Sequence, residues 1–350
     1  GGLAPDSMVG HFDASGLDLE DTAAPQMDAL LARAREAEDA ALAVSGVTNT
    51  NGDSAGHGRT VIALGTSAGF MGRYSRTGHS ISASVLAGDG ALMQRDYAHH
   101  GTVHLEDLDA PALIGREAGE RAVSRVNPSR PKTGTYSIIY DPRVSSSLLG
   151  HLASAINGAS VARGTSFLKE AMGTRILSAG LTVRDDPRRI RGAGSRPFDG
   201  EGCPAAALDL ISDGVLTTWL LDSRSARQLD LRSNGRASRG VSGPPSPSVT
   251  NLHLEPGDLS AGDLRSDIKE GILVTELMGS SINMLTGDYS RGASGFMIRN
   301  GELAEPVAEL TIAGNLRDMF SRMVPASDLS FRSSVNAPSI RIDGMSIAGL

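Results

Sequence analysis

Between residues 22 and 44 the apolar positions Met27, Leu30, Leu31, Ala34, Ala37, Ala41 and Leu42 recur at helical spacing, with Arg33, Arg35, Glu36 and Glu38 opposite. That spacing predicts an amphipathic helix ending at Gly46. From Val47 to Leu64, β-rich runs flank an Asn51-Gly52 turn signal, and the segments Arg73 to Leu86 and Ala91 to His100 flank Asp89-Gly90, a hairpin signature. Leu113, Ile114, Ala118, Ala122 and Val123 mark a second helix over 110–126, which Asn127-Pro128 ends because proline disfavours helical conformation before it. A helix packed on an antiparallel sheet is the expected plan of residues 1–130.

Thr135 to Tyr140 reads as a strand that Asp141-Pro142 breaks, and Ser145 to Ala155 as a third helix with serines near its start and Leu148, Leu149, Leu152 and Ile156 on its apolar face. From about residue 185 the chain turns to Gly- and Pro-rich loops, one of them Pro197 to Gly202, and a hairpin turning at Asp213-Gly214. The breaker-rich span Ser233 to Thr250 is expected to be mobile and to hold no core element. Beyond it, runs at 272–277, 282–289, 295–299 and 307–312 read as a meander, with Asn300-Gly301 as a hairpin turn and Asn315 capping a last helix. The expected class is therefore α+β, a helix-and-sheet first part followed by a β-rich domain over 131–350.

Composition narrows the functional classes. A formal charge of -7 and a pI near 5.6 exclude the concentrated cationic surface that nucleic-acid binding needs. One cysteine, Cys203, excludes an internal disulfide, and neither a signal-peptide pattern nor a membrane-length apolar run is visible, so a cytoplasmic protein is expected. The opening Gly1-Gly-Leu-Ala-Pro-Asp6 is loop-like and reads as an internal start.

Chemistry-bearing patterns are few. Gly65-Thr66-Ser67-Ala68-Gly69 matches G-x-S-x-G, yet the segment after it alternates like a strand, and a nucleophile elbow needs a helix there. His99, His100 and His104 are close in sequence, but the β pattern around them works against ligands sharing a helical face. His57 and His79 lie in strand-like surroundings without an evident partner, and His151 falls beside the apolar face of the third helix, as packed histidines do. Neither a Walker A pattern nor a dinucleotide fingerprint occurs. Asp199, Glu201, Asp288 and Arg291 are candidates for lining a peptide cleft or a subunit surface, although acidic residues in Gly-rich turns equally serve loop backbone N–H groups.

Three segments of the last third stand almost without spacers: Val274-Thr-Glu-Leu-Met-Gly279, Thr286-Gly-Asp-Tyr-Ser-Arg-Gly-Ala-Ser-Gly-Phe296 and the stretch from Asn300 to Leu316. This succession resembles the TldD/PmbA proteins, long described as modulators of DNA gyrase and understood as paired subunits of a zinc metallopeptidase. The resemblance runs from about residue 20 onward and is nearest the PmbA/TldE branch. In the catalytic branch a His-Glu-x-x-x-His helix follows the strand corresponding to 135–140; here Gly150 and Ala155 fall where the ligands are expected, no Glu precedes Glu170, and no cysteine lies in 320–350. The resemblance thus implies a subunit without its own cofactor, partnering a TldD-type catalytic chain that carries the zinc, acting on unfolded or short peptides and able to form a homodimer alone. It also implies that a further N-terminal α+β portion belongs before residue 1. Two other classes stay open: a self-sufficient hydrolase using Ser67 or the His99, His100, His104 group, and a protein-binding regulator without peptidase activity.

Overall fold

The computed structural model describes residue 12, residues 14–90 and residues 93–350, with only the backbone described at Ser280. The loop-like opening Gly1 to Asp6 and the expected strand start at Ala91 lie outside the described residues. The chain forms two compact units, one of residues 18–62 and 74–129, the other of residues 63–73 and 130–350 with the described residues up to Leu17.

The smaller unit carries helices α1 (Met27–Leu42) and α2 (Pro111–Ser124) with strands β1 (Val47–Thr50), β2 (Ser54–Gly65), β3 (Met71–Ala87) and β4 (Gln94–Thr102), whose last and first residues at the β2–β3 hairpin belong to the larger unit. Helix α1 starts at Met27, the first apolar position of its pattern, two residues after Pro25. Its buried face is narrower than the pattern predicts. Ala37 and Ala41 are fully buried, whereas Met27 is 68% exposed and Leu31 and Leu42 are each 45% exposed. The reason lies in α2. A Cβ on Gly115 would stand 1.9 Å from the carbonyl oxygen of Ala37, and one on Gly119 would stand 2.8 Å from Val44 Cγ2. The two helices touch backbone to backbone along small residues, so larger side chains on α1 are turned outward.

β3 is the spine of the sheet. β1 pairs with it antiparallel, with Thr50 opposite Val85, and β4 pairs antiparallel from His79↔Thr102 to Ala87↔Gln94, so Asp89-Gly90 lies between paired strands as expected. Asn51-Gly52 does not reverse the chain. Asn51 N donates to Ser84 O, Asp53 Oδ1 accepts from Ser84 N, and β2 continues as a further neighbour of β3. Gly52, at φ 115°, interrupts a strand instead of closing a hairpin.

In the larger unit, β5 (Gly134–Tyr140) leads directly into α3 (Pro142–Ala155). The helix begins three residues before the expected start: Asp141, and not a serine, caps it by accepting from Arg143 N, and Pro142 occupies its first position. α4 (Gly158–Ala162), β6 (Val183–Asp185), β7 (Leu208–Ser212), β8 (Val215–Leu216), α5 (Ser223–Gln228), β9 (Ala237–Ser238), β10 (Ser246–Pro247) and β11 (Leu252–Leu254) follow. Then come β12 (Glu270–Ile282), β13 (Asp288–Arg299), β14 (Glu302–Asn315), α6 (Leu316–Ser321), β15 (Val324–Pro325), β16 (Val335–Asn336) and β17 (Ile340–Ala348).

One sheet has the order β14-β13-β12-β5-β17-β15, and the pairing of β17 back onto β14, with Ile347 opposite Ile312, closes it into a ring. The β5–β12 pair is parallel, a crossover that a pure meander would not contain. The four predicted runs merge into three long strands, and residues 283–287 are a turn in which Gly287 adopts φ 86° and Gly287 N donates to Asn283 O. A second sheet has the order β16-β11-β6-β7-β8. Asn300-Gly301 and Asp213-Gly214 form the expected tight turns, both residues of each at positive φ, and Asn315 caps α6 by accepting from Arg317 N. The span 233–250 departs from expectation: β9 pairs with β10, and Arg236 and Ala237 are fully buried, leaving residues 239–244 as the exposed tip. The main core of this unit joins Leu148, Leu149 and Leu152 of α3 to Ile272, Val274 and Ile312 of the ring. No helix among the described residues is long and apolar enough to cross a membrane.

Candidate functional site

The loop at Pro197 to Cys203 is held by its own acidic residues. Asp199, 2% exposed, accepts from Glu201 N at 2.9 Å and Cys203 N at 2.8 Å through Oδ1, and from Ala237 N at 3.1 Å through Oδ2. Burial raises its pKa against the effect of these bonds. Glu201 accepts from Ser223 N at 2.9 Å, in the first turn of α5. One ligand atom from each of Asp199, Glu201 and Cys203 lies within 4.8 Å of the others, the only such group of three or more found among the described residues. Its donor set does not fit zinc. The Asp199 oxygens are engaged by backbone N–H groups, and burial, reinforced by Asp199 and Glu201, pushes the Cys203 thiol up to about 12, where a metal site needs thiolate.

The hydrolase candidates do not assemble. Ser67 is exposed at the tip of the β2–β3 hairpin, where Gly69 N donates to Thr66 O and the chain enters β3 with no helix following. Adjacent strand residues face opposite ways, so His99 is exposed and stacks on Tyr97 while His100 is buried with Nδ1 3.1 Å from Asp109 Oδ2. His104 Nε2 instead meets Asp18 Oδ1 at 3.2 Å. The histidines read as unpartnered do have neighbours: His57 stacks on His79 at 4.6 Å, and His79 Nε2 lies 3.1 Å from Asp21 Oδ2. Burial, with His57 adding to it, lowers the His79 pKa.

A different group draws its side chains from β5, α3 and β13. Tyr140 ends β5, His151 projects from α3, and Tyr289 and Arg291 come from the start of β13. The His151 ring sits 6.1 Å from that of Tyr289 in an edge-on arrangement. Burial, with Arg291 adding to it, lowers the His151 pKa to about 4, so the ring is neutral at pH 7. Burial raises both phenols, that of Tyr140 well above the ordinary tyrosine value, so both keep their protons as donors. Asp288, next to Tyr289, is exposed; its oxygens accept from Thr286 Oγ1 at 2.6 Å and Asn315 Nδ2 at 3.1 Å, which lowers its pKa and pins the 283–287 turn. Of the four sequence candidates, Asp288 and Arg291 both lie at the start of β13, three residues apart, and Asp199 and Glu201 lie in the 197–203 loop. Tyr140 and Tyr289 escaped the sequence reading; the available signal was a tyrosine at a strand end immediately before a capped helix, and another inside the Thr286 to Phe296 segment.

On α3, a Cβ at Gly150 would meet nothing within 4 Å, whereas Ala155 is fully buried. The helix carries one histidine and no glutamate or cysteine.

A model of the PmbA/TldA metallopeptidase central domain matches residues 20–126, and a model of the PmbA/TldA metallopeptidase C-terminal domain matches residues 133–349. The chain belongs to the PmbA/TldD family. It is 39% identical to the Metalloprotease PmbA of Escherichia coli O157:H7 over 97% of this chain and 74% of that protein. A Bacteroides thetaiotaomicron structure named as a candidate modulator of DNA gyrase superposes with a TM-score of 0.87 at 30% identity, covering 95% of this chain and 75% of the other. TldE from Thermococcus kodakarensis shares the fold, with a TM-score of 0.84 at 21% identity over 99% of this chain and 79% of its own. Within this PmbA/TldD fold, the Tyr140, His151, Tyr289 and Arg291 group draws on β5, α3 and β13 of the C-terminal domain.

Proposed function

We propose that this chain is the subunit of a PmbA/TldD-type zinc metallopeptidase that contributes surface and peptide contacts, while a TldD-type partner carries the zinc and activates water. Family membership supports the peptidase setting, and α3 carries the assignment of roles. A zinc site needs three or four converging ligands, two of them from one helical face in this architecture, and α3 offers His151 alone, neutral and packed against Tyr289. The substrates are unfolded or short peptides, and the compartment is the cytoplasm. The exposed hairpin-tip position of Ser67 and the dispersal of His99, His100 and His104 give the self-sufficient hydrolase no support.

The test is co-expression with a TldD-type chain, followed by size measurement, elemental analysis of each separated subunit and a peptide digest. The expected result is a complex that cuts peptides with its zinc confined to the partner. One tightly held zinc in this chain, or peptide cleavage by this chain alone, would overturn the assignment.

A further inference from the structure

Among the buried side-chain atoms of the larger unit without a hydrogen-bond partner are the hydroxyls of Tyr140 and Tyr289 and Nε2 of His151. Tyr140 is fully buried and Tyr289 is 2% exposed. The two phenols lie against each other without meeting in hydrogen-bond geometry, and the His151 ring packs edge-on to Tyr289. Buried polar groups are almost always satisfied, so such a set at one place indicates a missing acceptor. Tyr289 also lines an open groove of about 820 Å³ with Thr165, Ser281, Asn283, Met284, Leu285 and Asp288 among its walls. Arg291 donates through Nε to Met278 O at 3.4 Å and makes no other hydrogen bond among the described residues.

We propose that Tyr140, His151, Tyr289 and Arg291 form a carboxylate-binding site at the Tyr289 end of this groove, and that its ligand is the free C-terminus of a peptide. The donor chemistry selects an anion. Both phenols stay protonated, the neutral imidazole can present an N–H from Nε2, and Arg291 supplies the positive charge; together they offer a carboxylate two kinds of donor, neutral and charge-assisted. Asp288 stands on the same groove as an exposed anion and disfavours a ligand carboxylate directly beside it. The walls alternate hydroxyl and amide groups with Ile282, Met284 and Leu285, which suits a main chain with varied side chains more than a small acid that would leave most of the volume empty. The peptide part of this proposal rests on the peptidase-subunit reading; the carboxylate part rests on the four residues alone.

The experiment is calorimetric titration of the full chain, without partner or metal, using a hexapeptide of Gly, Ser and Leu with a free C-terminus, the same peptide C-terminally amidated, and sodium acetate as competitor. The free acid is expected to bind about tenfold or more tighter than the amide, a difference set by the charge-assisted contacts. Arg291→Gln and, separately, Tyr289→Phe, which keeps the ring volume, should each erase that preference while leaving the weaker amide binding; circular dichroism checks that both variants fold. Equal affinity for acid and amide, or an undiminished preference in both variants, overturns the site. Acetate competing as well as the peptide overturns the peptide part. Because the titration needs neither the catalytic chain nor zinc, its failure leaves the subunit assignment standing, and failure of that assignment leaves the carboxylate site standing.

Discussion

Asp185 and Arg236 form an ion pair at 2.5 Å with neither side chain exposed to solvent. Asp185 ends β6, Arg236 immediately precedes β9, and each is satisfied on its other side: Asp185 accepts from Thr250 N and Thr250 Oγ1, and Arg236 donates to the carbonyls of Asp185 and Ala206. The pair fastens the breaker-rich span 233–250 to the second sheet.

Removing one partner strands the other. Asp185→Ala is expected to lower unfolding free energy by about 3–5 kcal/mol, the cost of leaving a buried charge unpaired. Urea denaturation followed by far-ultraviolet circular dichroism measures it. A loss no greater than that of an exposed pair such as Arg299 with Glu270 would show that the span is held by something else.

The α1–α2 contact reverses the usual effect of replacing glycine in a helix. In an open helix Gly→Ala gains about 1 kcal/mol, but at Gly115 the new methyl would meet the Ala37 carbonyl, and overpacking of that kind costs about 1–3 kcal/mol. Gly150→Ala on α3, where the methyl enters open space, is expected to stabilise. Thermal melts of the two variants should therefore shift in opposite directions.

His151 sets a pH dependence. Its pKa falls from 6.5 to about 4 on folding, so between these values the unfolded chain holds the extra proton and acidification favours unfolding. This contribution to stability is fully present above pH 6.5 and is lost as pH falls toward 4. His151→Asn should flatten stability against pH in that window relative to the parent chain, measured by urea denaturation at stepped pH. Parallel curves for the two proteins would mean that the imidazole is not held neutral by the fold.

Ser67→Ala is expected to leave peptide cleavage by the co-expressed complex unchanged, because the hairpin tip provides neither a helix N-terminus nor an oxyanion cradle. Loss of cleavage with an unchanged melting temperature would restore the serine-hydrolase reading.

What the sequence disclosed was local. Asn300-Gly301 and Asp213-Gly214 encode their turns through residues that tolerate positive φ, and Asn315 caps its helix with its own side chain, so each signal and its structural outcome lie within three residues. Asn51-Gly52 carries the same local signal and gives a different outcome, because the long partner β3 lies alongside both flanking strands and keeps the chain running forward. The exposure of Leu31 depends on Gly115, more than eighty positions away, and the burial of Arg236 on Asp185; neither can be read from periodicity. The same holds for the candidate site, whose members Tyr140, His151 and Tyr289 look like ordinary apolar-face residues until the ring places β5 and β13 around α3.

The ring closed by β17 has a consequence for biosynthesis. β5 must keep a place beside itself for a partner made some two hundred residues later, and β14 likewise waits for Ser346 to Ala348. Until β17 has left the ribosome, both strands present open edges while β12, β13 and β14 are already able to pair. Edge strands left bare in this way invite pairing with other chains. The last assembly step of the larger unit therefore follows synthesis of the other strands of its ring, and the interval before it is when a nascent chain is most open to pairing with others.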